Sequence, residues 1–285
     1  MVFVVAADIR RDAAVGLLVL GAVFFAFEHA LPLREQPWWR RGMATDAVHF
    51  VADELLAAPF VAVGIFVALF LVQHGFLGGV ASTIRAQPTA WRWLESLLGA
   101  EVAGYWGHRL QHSVPGLWRF HRLHHSAPTM DWLAPNRRHP VDLIGSRLVV
   151  AVPLLLLGFS VPTVAAHFII RRFQGLFVHA NLRITMGPLR WVIAGPAFHH
   201  WHHADIPAEE TCNYAGEVPL VDWLFGTLHL PHAWPEEYGI GEQAPEGYVG
   251  QLLWPFADRS PVRVRWAALP IEHPLPVGPA LWPRL

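Results

Sequence analysis

Lysine is absent, so all 21 basic residues of the 285-residue chain are arginine. This reads as a bias of genome composition and carries no function. Charge of any kind is scarce, at 15% of residues with a formal net charge of −1, and no clustered positive surface points to nucleic acid as a partner. Cysteine is nearly absent as well. A lone Cys212 excludes an intramolecular disulfide, a four-thiolate iron–sulfur cluster and a cysteine-rich zinc site. Any metal must therefore be held by histidine or carboxylate. A clean secretory signal is also missing: Asp8 and Asp12 flank Arg10 and Arg11, and no small-residue cleavage site follows the apolar run that starts at Ala13. That run is expected to be an anchor.

What is abundant is apolar surface and histidine. Hydrophobic residues make up 53% of the chain, with 14 Trp and 17 Phe, too apolar for an ordinary soluble domain of this length. The expected fold is all-α, an integral membrane helical bundle carrying a cytoplasmic, histidine-rich helical cap. Ala13–Phe27 and Leu55–Val72 are uncharged runs of near-spanning length. Between them Arg34–Arg41, with Trp38 and Trp39, has the mixture of charge and aromatic rings found where a chain leaves hydrocarbon. Leu94–Trp106 is helical in pattern, but Glu95 and Glu101 weaken it as a span. Leu148–Ala166 is uncharged throughout, yet Gly158, Ser160 and Pro162 cluster as turn formers. The spacing predicts a hairpin: a helix from Val141, a reversal near Phe159, and a return through Phe168 to His179. Arg171 and Arg172 then fall where the returning helix meets the interface. From His229 to Leu285 the chain is rich in Pro and Gly without a sustained helical period, and it is expected to wrap the surface.

Eight of the 18 histidines fall into three clusters. His108 and His112 lie in H-R-L-Q-H, His121, His124 and His125 in H-R-L-H-H, and His199, His202 and His203 in H-H-W-H-H. Residues three and four apart share one face of a helix, so each cluster aims imidazoles at a common point. No HExxH metalloprotease signature is present. Eight imidazoles exceed the four ligands of a tetrahedral zinc site. Two metals with about four rings each would keep open positions, and iron that binds O2 fits best. His29, His49, His74, His167, His229, His232 and His273 stand alone and read as ordinary polar residues, and His200 reads as a spacer.

The runs Tyr105–His112 and Leu117–Ser126 resemble the fatty acid hydroxylase/sterol desaturase superfamily of integral-membrane di-iron oxygenases. Arg138-His139-Pro140, Phe177–Asn181, Gly187–Trp191, the third histidine box, Asn213-Tyr214 and Asp222–Thr227 follow in the same order, so the resemblance covers about Glu101 to Thr227. It implies that His108, His112, His121, His124, His125, His199, His202 and His203 ligate two iron ions. It also raises His179, a lone histidine on spacing alone, to a ninth ligand. His139 stays open between ligand, partner of a ligand, and helix-start residue. Val221 stands where the family often has Trp, which reads as a packing change.

The implied division is residues 1–92 as membrane anchor helices, 93–228 as a catalytic domain with a membrane hairpin, and 229–285 as a tail. The implied activity is O2-dependent hydroxylation or desaturation of a lipid C–H bond. Its partners are a lipid substrate, the bilayer, and an external electron donor such as a cytochrome or ferredoxin with its reductase. Arg109, Arg119, Arg122, Arg137 and Arg138 place the boxes on the cytoplasmic side of a multi-pass protein. Asp222, Asn213, Tyr214 and Asp205 are candidates for hydrogen bonds that fix the ligand tautomers, against turn and cap roles. Glu101 could hold a histidine of the site or be a partly buried acid near the interface. A metal-ion transporter and a bis-histidine haem carrier are the rival readings. The first expects its ligands near the midplane of the membrane helices, and the second expects histidine pairs on facing helices. The boxes lie instead in polar, arginine-rich segments.

Overall fold

The computed structural model describes residues 18–205 and 212–257. Among the described residues the regular structure is helical, and the extended pairing consists of two isolated bridges, Pro32 with Leu182 and Ala204 with Tyr238. The expected run Ala13–Phe27 lies partly outside them. Its described part belongs to α1 (Leu18–Ala30), which is shorter than a span.

Helix α2 (Met43–Gln73) is the one helix among the described residues long and apolar enough to cross a membrane. It starts well before the expected Leu55. The reason is a polar stripe: Asp46, His49 and Asp53 are buried and continue in register into Ala57 and Val61, a helical period that hydropathy alone passes over. The other face turns outward, with Phe60 61% and Phe66 68% exposed. The N-terminal end of α2 is clamped by buried charge. Asp46 accepts from Arg137 (2.6 and 3.1 Å) and pairs with Arg40 at 2.8 Å, while Arg40 also reaches Asp131 at 2.9 Å.

A short α3 (Gly78–Ala86) leads into α4 (Thr89–Ser113), and Pro115 at the first turn starts α5 (Pro115–His125) immediately afterwards. Then comes the hairpin, α6 (Pro140–Leu156) and α7 (Val161–His179). The chain reverses where the turn formers predicted. Gly158 has φ +94°, and a Cβ there would fall 2.7 Å from Cα of Ala81, so only glycine fits. Ser160 caps α7 by accepting from Thr163 N at 3.3 Å. Ala68, Ala100, Val150, Ala151, Leu154 and Val164 form the core where α2, α4, α6 and α7 meet.

Three short helices finish the described chain: α8 (Pro196–His202), α9 (Leu220–Leu224) and α10 (Tyr248–Ala257). The last corrects the expectation of an irregular tail. Gln251 and Trp254 are buried in α10 while Val249 and Leu253 face out. That amphipathic period is short, and Pro255 near its end hides it.

Candidate metal centre

Four elements deliver imidazoles to one place. The end of α4 carries His108 and His112, α5 carries His121, His124 and His125, α7 ends on His179, and α8 with its C-cap carries His199, His202 and His203. The rings sort into two groups. His108, His112, His121, His125 and His202 form one, and His124, His179, His199 and His203 the other; within each, the ligand atoms lie within 4.8 Å of one another. That is about the width of one coordination sphere, since nitrogens ~2.1 Å from a metal on opposite sides are ~4.2 Å apart.

The paired histidines explain the sorting. Successive residues on a helix point about 100° apart, so His124 and His125 serve different groups, as do His202 and His203. The i, i+4 pairs His121/His125 and His199/His203 each stay within one group. The His125 and His203 rings stack across the boundary, with centroids 4.2 Å apart and planes at 14°.

Three rings are held by carbonyls so that a bare nitrogen faces the centre. His108 Nδ1 donates to the Tyr214 carbonyl (2.8 Å), His202 Nδ1 to that of Cys212 (2.7 Å) and His179 Nδ1 to that of Gly175 (2.7 Å). Each bond fixes the tautomer that leaves Nε2 with a lone pair. His121 Nδ1 is held 2.9 Å from Asp142 Oδ1. Asp142 in turn accepts from Arg138 Nε (2.7 Å) and Gln111 Nε2 (2.6 Å).

The inward nitrogens are buried without ordinary partners. His112, His125 and His202 have Nε2 atoms with no hydrogen-bond partner. His179 Nε2 lies 3.2 Å from His124 Nε2, 3.2 Å from His203 Nε2 and 3.1 Å from His199 Nε2. Burial, reinforced by neighbouring rings, holds His124, His125, His199 and His203 well below the usual imidazole pKa, and burial takes His202 down to about 3. Converging, neutral and otherwise unpaired nitrogens are the donor set a transition-metal centre requires.

The remaining expected residues divide clearly. Tyr214 braces His108 through its carbonyl, and its ring packs against His112 with centroids 5.2 Å apart. Asp222 touches no imidazole; it accepts from Tyr214 N (2.7 Å), Ala215 N (2.8 Å) and Thr227 Oγ1 (2.7 Å), holding the segment that braces His108. Asn213, at φ +56°, donates to the carbonyls of Phe198 and His229, both at 2.8 Å. Asp205 accepts from Gly241 N at 3.0 Å, a long-range contact that touches no imidazole. Glu101 accepts from Glu217 N and Val218 N (3.0 Å each) and pairs with Arg171 at 3.1 Å, away from the imidazoles. His139 caps α6 by accepting from Val141 N at 3.1 Å and is outside both groups. His200 is outside them too, bonded to Tyr238 Oη (2.8 Å) and the Ala180 carbonyl (3.1 Å). Val221 packs with Tyr105, Phe198 and Tyr214. Sequence reasoning missed Asp142, Gln111 and Arg138. An acid in the first turn of a helix carries only the signal of dipole compensation.

Among the described residues, helices that gather two groups of imidazoles have the donor set of a histidine-box metal site. Residues 93–227 match the family model of the fatty acid hydroxylases, in agreement with the motifs from Glu101 to Thr227. The chain is 34% identical over 171 residues to ornithine lipid hydroxylase OlsE of Rhizobium tropici, covering 60% of this chain and 52% of that protein. It is 33% identical over 152 residues to alkylglycerol monooxygenase of Danio rerio (53% and 33%). To a very-long-chain aldehyde decarbonylase of Oryza sativa subsp. japonica it is 27% identical over 125 residues (43% and 47%). The matched segment thus spans about half or less of these relatives. No solved structure matches the chain.

Proposed function

We propose that this protein is a membrane-bound, O2-dependent lipid hydroxylase or desaturase in which His108, His112, His121, His125 and His202 hold one iron ion and His124, His179, His199 and His203 a second. The observation that carries the reading is the pair of converging imidazole groups bordering one cavity of about 230 Å³. Val149, Phe168, Leu176 and Val178 give that cavity apolar walls, suited to a hydrocarbon chain. Relatives named for hydroxylation or monooxygenation of lipids support the same assignment.

Bound iron supplies the O2 chemistry that no side chain here can perform. Hydroxylation takes a C–H bond, O2, two electrons and two protons to an alcohol and water. Desaturation removes a second hydrogen instead. The chain's own part is to hold the rings, align the lipid and keep water from the reacting carbon. Asp142 and the carbonyls of Tyr214, Cys212 and Gly175 keep the imidazoles in register. The electrons come from an external donor such as a cytochrome or ferredoxin and its reductase.

The protein is placed in the bilayer by α2 and the α6–α7 hairpin, with the boxes at the cytoplasmic end. Residues 1–92 act as anchor, 93–228 as catalytic domain and 229–285 as tail. The anchor also lends His49, Phe50, Asp53 and Glu54 to the cavity wall. The test is metal analysis of purified protein together with lipid profiling of cells with and without it. Two irons per chain and an oxidised lipid that depends on the protein are expected; fewer than two transition metals in a fully loaded sample would overturn the assignment.

A further inference from the structure

The cavity that reaches the imidazoles is also lined by Arg138, Arg147, Arg171 and Arg172. Three of these are matched by acids. Arg138 Nε donates to Asp142 at 2.7 Å, Arg147 Nη2 to both oxygens of Glu54 at 2.7 and 2.6 Å, and Arg171 Nη2 to Glu217 at 2.9 Å and Glu101 at 3.1 Å. Arg172 differs. Its Nε and Nη2 are buried and meet no acceptor, and its guanidinium rests over the Phe50 ring, Cζ 4.8 Å from the centroid. The acid on the same wall, Glu54, already has both oxygens engaged by Arg147.

A guanidinium whose buried nitrogens meet no acceptor is costly, and its planar fork matches a carboxylate or a phosphate bidentately. Its position fits a ligand that continues to the metal site. Phe168, Arg172, Gly175 and His179 recur along α7 at spacings of four, three and four residues, so they share one face, and all four line the cavity. Arg172 and His179 are thus about 10 Å apart along the helix axis. Between them, a Cβ at Gly175 would meet nothing within 4 Å, leaving a channel for a chain.

We propose that Arg172 anchors an oxyanion on the lipid that enters this cavity, a carboxylate or a phosphate, so that the hydrocarbon runs past Gly175 to the imidazoles. This rests on the reading of the site as a lipid oxygenase, and it names the polar end of its substrate. Arg172 is a positioning residue and takes no part at the reacting carbon.

The test is equilibrium binding of radiolabelled hexadecanoate, hexadecyl phosphate and hexadecanol to the full-length protein in nanodiscs, with no reductant, so that nothing turns over. The wild-type protein should bind at least one anion about tenfold or more tighter than hexadecanol; which anion wins distinguishes a carboxylate from a phosphate head. Arg172→Gln should abolish that preference and leave hexadecanol binding within about twofold. Because it removes an unpaired buried charge, this variant should unfold at the same or a higher temperature. If it does not fold, Arg172→Lys serves. A loss of about fivefold or more for the favoured anion, with hexadecanol unchanged, supports the anchor. Equal wild-type binding of all three probes, or unchanged anion binding in the folded variants, overturns it. A protein that keeps the preference but yields no oxidised lipid when reduced under O2 would retain the anchor and lose the oxygenase assignment.

Discussion

The two imidazole groups, one of five rings and one of four, differ on their outward side. In the first, His108, His121 and His202 each have Nδ1 tied, to Tyr214, Asp142 and Cys212 respectively. In the second, only His179 is tied, to Gly175, while Nδ1 of His124, His199 and His203 is buried without a partner. Outer bonds of this kind orient a ligand ring and raise its basicity. The first group is therefore a rigid site and the second a looser one, and a bound metal should leave the second group first under mild chelation.

The largest effect expected tests whether both groups are indispensable. His202→Ala removes a ring from the first group and His124→Ala one from the second; each should abolish oxidised product while the protein still inserts in the membrane. Full activity in either variant would break the pairing of the groups. Asp142→Asn comes next. It keeps the shape but removes the carboxylate behind His121, and it should lower metal affinity at the first group by about 10- to 100-fold. Chelator titration should then show the two metals leaving together. If the second metal still leaves far ahead of the first, outer bonding is not what separates the sites.

A third expectation concerns the protein stripped of metal. His202 has its pKa lowered by burial to about 3 in the fold, against 6.5 when exposed. The unfolded chain binds its proton first as pH falls, so the folded state loses stability below about pH 6.5 and keeps losing it until the folded value is reached. At pH 5 this ring alone costs about 2 kcal/mol. The thermal midpoint of the metal-free protein should fall between pH 7 and pH 5, and metal should suppress the fall, because bound rings cannot accept the proton.

Much of the site was legible in the sequence, for a geometric reason. Helical spacing makes the boxes readable, since residues three and four apart must converge, and the turn formers at Gly158, Ser160 and Pro162 made the hairpin readable. His200 could be set aside because it breaks the box register, and the structure bonds it to Tyr238 and Ala180 instead. The partners that make the groups unequal were not readable. Asp142 meets His121 across 21 residues, and Cys212 and Tyr214 act through carbonyls, which every residue type possesses. The early start of α2 was hidden for a related reason: Asp46, His49 and Asp53 look like solvent-facing polarity until their partners Arg137, Gln251 and Tyr248 are brought to them.

The smallest effect sharpens the comparison furthest, because it touches no ring. Cys212 and Tyr214, whose carbonyls brace His202 and His108, flank Asn213. Asn213 sits at φ +56° and holds its place by donating to Phe198 and His229 carbonyls and accepting from His229 N at 2.7 Å. Asn213→Gly keeps the left-handed backbone accessible but removes all three bonds, so it should cost about 1–3 kcal/mol of stability. Metal affinity should fall severalfold at the first group and stay unchanged at the second. Asn213→Ala removes the same bonds and adds strain at positive φ, so its larger loss of stability with the same selectivity would tie the rigidity of the first group to this one turn. An equal loss at both groups would mean that the turn supports the fold in general, and that the difference between the sites lies in Asp142 alone.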